Sequence, residues 1–413
     1  MRLLQDLFDK ELKRAISFPN FASRVISKKL MEQGVELTEG QAERISAFLQ
    51  EKIDQRTLED NLHITISDSG DIGISPSSSV EQLKVDISDL VDEELGHLFD
   101  QLPEAITLLA EETSRILLEE LKSLSDEIIN SNEKDRRKFN KSLLRIWEEP
   151  LRLLEIFILI SEEFGNEYND RIRSSIKENP SLKFEVLVRL HARACQVAKE
   201  ILILLNHGFA DGAHARWRTL HELSVDANLI SRYDDDLAQR YLDHDIVQRY
   251  KSAKIYQKYC RQIGFEPLTE DELNHLRTTC DQVVLVYGKD FYNDNGWAIE
   301  ITGKGKNRFY DLESFVDLAQ IHPFYTLANL NVHAGPRGLL FRLGLTSEQH
   351  KRVMLSGSSV IGLGDPIQNA AYSLMLLTTY LLTFDTNLDC LVILNLLMKL
   401  EGEIFDAVEK AIR

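Results

Sequence analysis

The chain has 413 residues, of which 43% are hydrophobic and 28% are charged, so it is long enough to bury a sizeable core in two or three domains of about 150 residues each. Its formal net charge of −18 argues against broad adhesion to nucleic acid or anionic membrane, which needs clustered lysine and arginine, but leaves a local basic cleft open. The four cysteines are far apart and form no CxxC pair. They indicate neither a zinc ribbon nor a disulfide framework, and a cytoplasmic location is expected.

The first 170 residues predict an acidic helical domain. Two or three helices are expected before residue 56, and strongly acidic amphipathic helices after residue 80. Between them, alternation of apolar and polar residues over 62–75, around a Ser-Gly turn, predicts a small β-hairpin. The acidic helices offer a docking surface for a protein partner.

Residues 171–413 predict a second domain, a helical bundle. Apolar residues recur every three or four positions through most of this part of the chain, which is typical of amphipathic helices. Residues 339–343 and 352–355 suggest a second hairpin. The apolar run Ala370–Phe384 is shorter than the ~20 residues that cross a bilayer, and no membrane span is expected. The fold class predicted for the whole chain is therefore mainly α, with minor β-hairpins.

The sequence predicts one central helix, 211–229, around which the chain is organised. Trp217, Leu220 and Ala227 lie on its apolar stripe, and a row of polar residues follows every fourth position on the other side. Apolar residues interrupt this polar face, so we expect it to pack against protein rather than to face water. The residues of the row and of its edge are His214, Arg218, His221, Glu222 and Asp226.

A second polar row lies on a later helix that begins near Pro323. Tyr325, Asn329 and His333 follow one another at intervals of four and share a face. If the two rows meet, they supply imidazoles for proton transfer, carboxylates to orient them and a guanidinium to bind an anion. Two interpretations remain open at this point: a buried ion-pair network that fixes helix register, or the floor of a functional cleft.

Arg216 and His221 have the spacing of the Arg-x4-to-6-His motif of HEPN-type ribonucleases, which resemble this chain in being helical bundles. The similarity is weak, because the residue after the arginine is Trp217 and because Arg216 projects roughly 140° away from His221 around the helix. The resemblance implies a metal-independent endoribonuclease that pairs two such motifs across a homodimer.

A broader resemblance covers residues 185–385. The segments HARWRTLHELSVDA at 214–227, WAIEI at 297–301 and YTLANLNVHAGPRG at 325–338 resemble the bacterial domain of unknown function 5677. The resemblance implies a compact helical bundle in a standalone bacterial protein, of a kind expected in stress response or phage defence. It places Arg218, Glu222, Tyr325 and His333 at the family's characteristic polar positions and assigns none of them a catalytic role.

Three other clusters look like functional motifs but predict ordinary structure. The run 243–245 (Asp-His-Asp) resembles a metal site by residue type, but adjacent helical residues point in different directions. His191 and Cys195 are one turn apart on an apolar stripe, which favours core packing. The glycine-rich segment 357–364 lacks the order of a phosphate-binding or nucleophile motif. Neither a metal site nor a cofactor is predicted.

The sequence therefore supports two functional hypotheses. The first is a bacterial effector of defence or toxin type that cleaves RNA without metal, with His221 and His333 as acid and base and Arg216 or Arg218 holding phosphate. The other polar side chains of the rows would line the cleft: His214, Glu222, Asp226, Tyr325 and Asn329. The second hypothesis is a binding or regulatory module that recognises a small anion or a protein, which the charge of −18 favours.

Overall fold

The computed structural model divides into two compact units, Met1–Asp135 and Arg136–Arg413. The fold is mainly α, as predicted, and most of what can be described lies in the second unit. The described residues are 40, 44, 47, 51, 61–66, 72–75, 84–86, 107, 110–111, 113–175, 181–303, 308–346, 348–349 and 354–413.

The first unit contains a small antiparallel sheet. Strand β1 (Asn61–Ile66) pairs with β2 (Ile72–Ser75) on one side and with β3 (Lys84–Asp86) on the other. The β1–β2 pair, with Ile64 opposite Ile74, is the hairpin predicted over 62–75. Strand β3 was not predicted from the sequence. The acidic helices expected before residue 56 and over 80–112 lie largely outside the described residues.

The long helix α1 (Ser125–Ser175) corrects the predicted domain boundary near residue 170. Its residues from Leu143 to Ile172 that face inward are buried in the core of the second unit. The contacts between residues therefore place the start of the second unit at Arg136, about 35 residues before the predicted domain boundary. The polar residues near 130–138 form a mostly solvent-exposed part of this continuous helix.

The other helices of the second unit follow in chain order, with short 3₁₀ turns between some of them. They are α2 (Leu182–Asn206), α3 (Ala210–Arg232), α4 (Asp235–Tyr259), α5 (Glu270–Tyr287), α6 (Ile299–Thr302), α7 (Phe309–Phe315), α8 (His322–Val332), α9 (Pro336–Leu340), α10 (Gly364–Leu382) and α11 (Leu388–Ile412). Among the described residues, no helix is both long enough and apolar enough to cross a bilayer.

Helix α3 is the central helix of the bundle, as its sequence predicted. It packs against α2, α10 and α8. Trp217, Leu220 and Ala227 of its apolar stripe are fully buried. The Trp217 indole Nε1 donates a hydrogen bond of 2.9 Å to the Ser373 hydroxyl of α10, so that the buried N–H has a partner.

A sharp turn at Gly208 sets the start of α3. Gly208 has φ +74°, and a Cβ there would lie 2.5 Å from Cζ of Phe139 and 2.7 Å from the backbone oxygen of Ser359. Glycine is required at this position both by the left-handed conformation and by the close approach of α1 and the 359 loop. The turn therefore places the N-terminal end of α3 directly beside α1.

The predicted second hairpin is wrong in its first half. Residues 336–340 form the short helix α9, which begins at Pro336, a residue suited to the first helical position. Residues 354–356 have no regular structure, and 351–353 lie outside the described part of the chain. The apolar residues interpreted as a strand belong instead to one helical turn and its connection.

Candidate functional site

The polar row of α3 is packed against protein, as predicted. Val225 and Leu229, which interrupt the row, are fully buried. Arg218, Glu222 and Asp226 are only half-buried. The row thus forms a partly covered polar site rather than a solvated helix face.

Tyr325 of α8 joins the two ends of an ion pair on α3, so the two polar rows, whose meeting the sequence left open, are in contact at this residue. The Tyr325 hydroxyl donates to Glu222 Oε1 at 2.6 Å and accepts from Arg218 Nε at 2.8 Å. Arg218 Nη2 lies 3.0 Å from the same Glu222 oxygen, and the guanidinium carbon lies 4.9 Å from the centre of the Tyr325 ring. Burial and the Glu222 carboxylate raise the pKa of Tyr325 well above its usual range, so its hydroxyl remains a donor.

Asp226 lies one turn beyond Glu222 and is the most perturbed acid of this site. Removal from water, followed by repulsion from Glu222, raises the pKa of Asp226 to about 8. Its side chain is hydrogen-bonded to Tyr241 of α4, whose own pKa is raised by burial. At neutral pH the site therefore holds one carboxyl group that is mostly protonated, one turn from a carboxylate paired with arginine.

A buried carboxylate links two histidines beside this network. Glu313 of α7 is fully buried, and its Oε1 lies 2.8 Å from His221 Nε2. Its Oε2 lies 2.5 Å from Nδ1 of His322, the first residue of α8. The side chain of His221 has no exposed surface, whereas that of His322 is 32% exposed. Glu313 therefore holds the partly exposed imidazole of His322 through its Nδ1 atom.

Neither Glu313 nor His322 is predicted as a site residue from the sequence, although one signal for the histidine is present. His322 precedes Tyr325 by three residues, so the two side chains share a face of α8, and their rings stack with centroids 5.7 Å apart. The face that Tyr325 shares with Asn329 thus extends back to His322. Glu313 has no comparable signal, because its burial depends on how the short helix α7 packs against α3.

His214 is in the core rather than in an accessible site. Its ring stacks on Trp217 at 5.3 Å, and Trp217 stacks on His221 at the same centroid distance. Burial lowers the pKa of His214 to about 4, and its two ring nitrogens have no hydrogen-bond partner among the described residues. It is therefore a neutral core histidine, and the predicted binding role does not fit its position.

The two predicted catalytic histidines do not form a pair. His333 follows the last residue of α8 in an extended conformation and is exposed, while His221 is sealed against Glu313. The prediction extended the helical spacing of Tyr325 and Asn329 one position too far, because α8 ends at Val332. Asn329 itself is half-buried, and its side-chain oxygen has no partner within the described part of the chain.

Arg216 also lies apart from His221, as its position around the helix predicted. Its Nε is paired with Glu200 of α2, and its Nη1 donates to Thr219 at 3.2 Å. The Arg216–His221 spacing therefore does not produce the convergent pair of a HEPN-type site within one chain. Of the two candidate phosphate-binding arginines, Arg218 is the one in the polar network.

The Asp-His-Asp run at 243–245 and the His191–Cys195 pair make ordinary structural contacts. His244 is hydrogen-bonded to the backbone oxygen of Asn293 at 3.0 Å, whereas its neighbour Asp245 pairs with Arg249. His191 is buried 3.2 Å from the Thr378 hydroxyl, and burial lowers its pKa to about 4. Cys195 packs beside it, and burial raises the pKa of its thiol to about 12. Neither group is available for chemistry at neutral pH.

Arg218, Glu222, Asp226, Tyr325, Glu313 and His322 together form what we call the α3–α8 site. Arg218 has five N–H donors, and the contacts to Tyr325 and Glu222 leave others able to bind an anion. His322 can exchange a proton through Nε2 while Glu313 holds Nδ1. The arrangement combines a positioned imidazole with a cation, which are the groups that acid–base chemistry on a phosphate ester needs.

Comparison with known proteins supports the resemblance seen in the sequence. No curated protein and no solved structure matches the chain. Residues 184–351, which contain α3, α7, α8 and hence the whole α3–α8 site, match the model of a family described as a family of unknown function, DUF5677. Over this segment, which is less than half of its length, the chain is similar to the DUF5677 family.

Proposed function

We propose that the chain is a metal-independent acid–base enzyme whose substrate is RNA, and that it acts as a bacterial cytoplasmic effector of the stress or defence type. The observation that carries the proposal is the contact between Glu313 and His322. A buried carboxylate that accepts a hydrogen bond from Nδ1 fixes the imidazole tautomer and leaves Nε2 for proton transfer. His322 takes the role that the sequence assigned to His221 and His333.

In the proposed reaction, Nε2 of His322 removes the proton from a ribose 2′-hydroxyl. The 2′-oxygen forms a bond to phosphorus, the bond from phosphorus to the 5′-oxygen breaks, and the 5′-oxygen leaves with a proton from water. The products are a 2′,3′-cyclic phosphate and a 5′-hydroxyl end. Arg218 stabilises the charge that develops on the non-bridging oxygens, and Glu313 is a positioning residue that stabilises the imidazolium.

A second candidate function is a non-enzymatic module that binds a small anion or a protein partner. It is favoured by the mutual neutralisation of Arg218 and Glu222, which lie 3.0 Å apart, and by the net charge of −18. In this alternative the network recognises a ligand by exchanging the Glu222 contact for an external anion. Docking of a protein through the acidic N-terminal segment, and assembly into a homodimer, remain predictions.

The test is cleavage of labelled transfer RNA and mixed cellular RNA by the purified full chain in EDTA. His322→Gln removes the proposed base, and His333→Gln is the matched control because His333 is exposed and outside the site. We expect wild type and His333→Gln to cleave and to generate cyclic phosphate ends, and His322→Gln to lose about 100-fold or more in rate. Absence of cleavage by the wild type would favour the binding module, provided that its thermal melt shows folded protein.

A further inference from the structure

A short cationic segment stands out in this acidic chain. Residues 136–145 of α1, RRKFNKSLLR, contain five basic residues and no acidic one, although the chain as a whole has a formal charge of −18. The five side chains are exposed. This segment is the kind of local basic feature that the overall charge does not exclude.

Three of the basic residues lie on one side of the helix. Lys138, Lys141 and Arg145 follow one another at intervals of three and four, so they fall within about 60° around the axis. We call these three residues the α1 cationic stripe. It extends over roughly 10 Å, at 1.5 Å per residue, and the acidic residues Glu148 and Glu149 end it on the C-terminal side.

The other side of this part of α1 is fixed in the core. Leu143 and Trp147 are buried, and the Trp147 indole donates a hydrogen bond of 2.7 Å to the backbone oxygen of Val360. An interfacial membrane helix must place its apolar face in the lipid. Since that face of α1 is already buried in protein, the stripe is better suited to a polyanion in solution than to a membrane surface.

The stripe and the α3–α8 site belong to the same unit and are connected by the Gly208 turn. Phe139, next to Lys138, packs against that turn. Helix α3 starts two residues later at Ala210, and Arg218 lies eight residues further on, about 12 Å along the helix axis. The stripe and the site therefore lie on two helices that meet at this turn.

We propose that the α1 cationic stripe binds the phosphate backbone of single-stranded RNA and delivers the strand to the α3–α8 site. The inference rests on the proposed function for the identity of the polyanion. Lysine and arginine contacts to phosphate release counterions, so the stripe supplies affinity that depends on salt and not on base sequence. Specific acidic proteins and anionic vesicles are the competing ligands that the experiment must separate.

The test measures binding apart from cleavage, in full-length protein that carries His322→Gln. A fluorescent, unstructured RNA oligonucleotide is titrated at several salt concentrations into this protein and into a variant that adds Lys138→Gln, Lys141→Gln and Arg145→Gln. The matched control adds Lys254→Gln, Lys258→Gln and Arg261→Gln, which remove the same charge from exposed positions on and just after α4. Thermal melts establish that all three proteins are folded.

We expect the stripe variant to lose at least about tenfold in affinity at low salt. The slope of log K against log salt should become shallower by about 2, which is 0.7 for each of three lost contacts to a single strand, and the control should keep its slope. Equal slopes in the stripe variant and the control would overturn the inference. The inference would also be overturned if the stripe substitutions weakened binding to polyglutamate or anionic vesicles and left binding to RNA unchanged.

The outcomes distinguish this inference from the proposed function. Stripe-dependent RNA binding by a wild type that does not cleave RNA would support the stripe and contradict the enzyme. Cleavage that depends on His322, with RNA binding unaffected by the stripe substitutions, would support the enzyme and contradict the stripe.

Discussion

Asp226→Asn should stabilise the protein by an amount that increases with pH. In the folded chain the pKa of Asp226 is raised to about 8, against 3.8 for an unperturbed aspartate, chiefly because the carboxyl group is removed from water. The folded state therefore retains a proton that the unfolded state releases, and stability falls as the pH rises from about 4 towards 8. Asparagine cannot ionise, and its side-chain oxygen can still accept a hydrogen bond from Tyr241.

The magnitude follows from the number of protons involved. One proton held by the folded state alone changes the free energy of unfolding by at most about 1.4 kcal/mol per pH unit. Between about pH 5 and pH 7, the advantage of Asp226→Asn over wild type should therefore grow by up to about 2.7 kcal/mol. The half-buried position of the side chain makes this an upper limit.

Urea denaturation of wild type and variant at the two pH values measures this difference. Asp281→Asn is the control, because it is the same substitution at an exposed carboxylate that forms an ion pair with Arg277. The comparison with wild type at each pH cancels the contributions of other titrating groups. If Asp226→Asn differs from wild type by the same free energy at both pH values, Asp226 is not protonated in the folded chain and the charge state assigned to the site is wrong.

Two further predictions concern helix packing in the second unit. Gly165→Ala should destabilise the protein by about 1–3 kcal/mol, because its Cβ would lie 2.3 Å from the buried His191 ring. Gly402→Ala, whose Cβ would have no atom within 4 Å, should stabilise the protein by about 1 kcal/mol. Thermal melts that rank the two variants in the opposite order would contradict this prediction. Trp217→Phe should cost about 2–4 kcal/mol in urea denaturation through the lost hydrogen bond to Ser373 and the space left behind, and a neutral result would show that this contact contributes little.

Local periodicity accounts for what the sequence predicted well. The spacing of apolar residues identified the bundle, and the interrupted polar face of α3 indicated contact with protein. The helical spacing of Tyr325 and Asn329 put both on one polar face of α8, and the structure has the Tyr325 hydroxyl bonded to Arg218 and Glu222. These features depend on the geometry of single helices, which the order of residues largely specifies.

The features that could not be predicted from the sequence depend on tertiary packing. Glu313 is charged and lies on a helix of seven residues, and only its insertion between His221 and His322 gives it a role. His333 has the right spacing, but α8 ends one residue before it. Neither the length of a helix nor the burial of an isolated acid follows from periodicity alone.

The domain boundary illustrates the same limit. The predicted boundary near residue 170 lies within α1, which continues through the polar residues near 130–138 and ends at Ser175. A long helix tolerates a fully polar turn when other turns are anchored in a core, as Leu143 and Trp147 are here. The predicted boundary near residue 170 is therefore close to the end of α1, whereas the second unit begins at Arg136.

The most direct test of the central claim is inactivation of RNA cleavage by diethyl pyrocarbonate, with each modified histidine identified by mass spectrometry. The reagent acylates accessible imidazole nitrogens, so it should modify His322, whose side chain is 32% exposed, and spare the fully buried His214 and His221. The account predicts that cleavage in EDTA is lost in proportion to modification of His322, with the same time course in His333→Gln. Complete modification of His322 with cleavage intact, or a loss of cleavage that follows His333 instead, would contradict it.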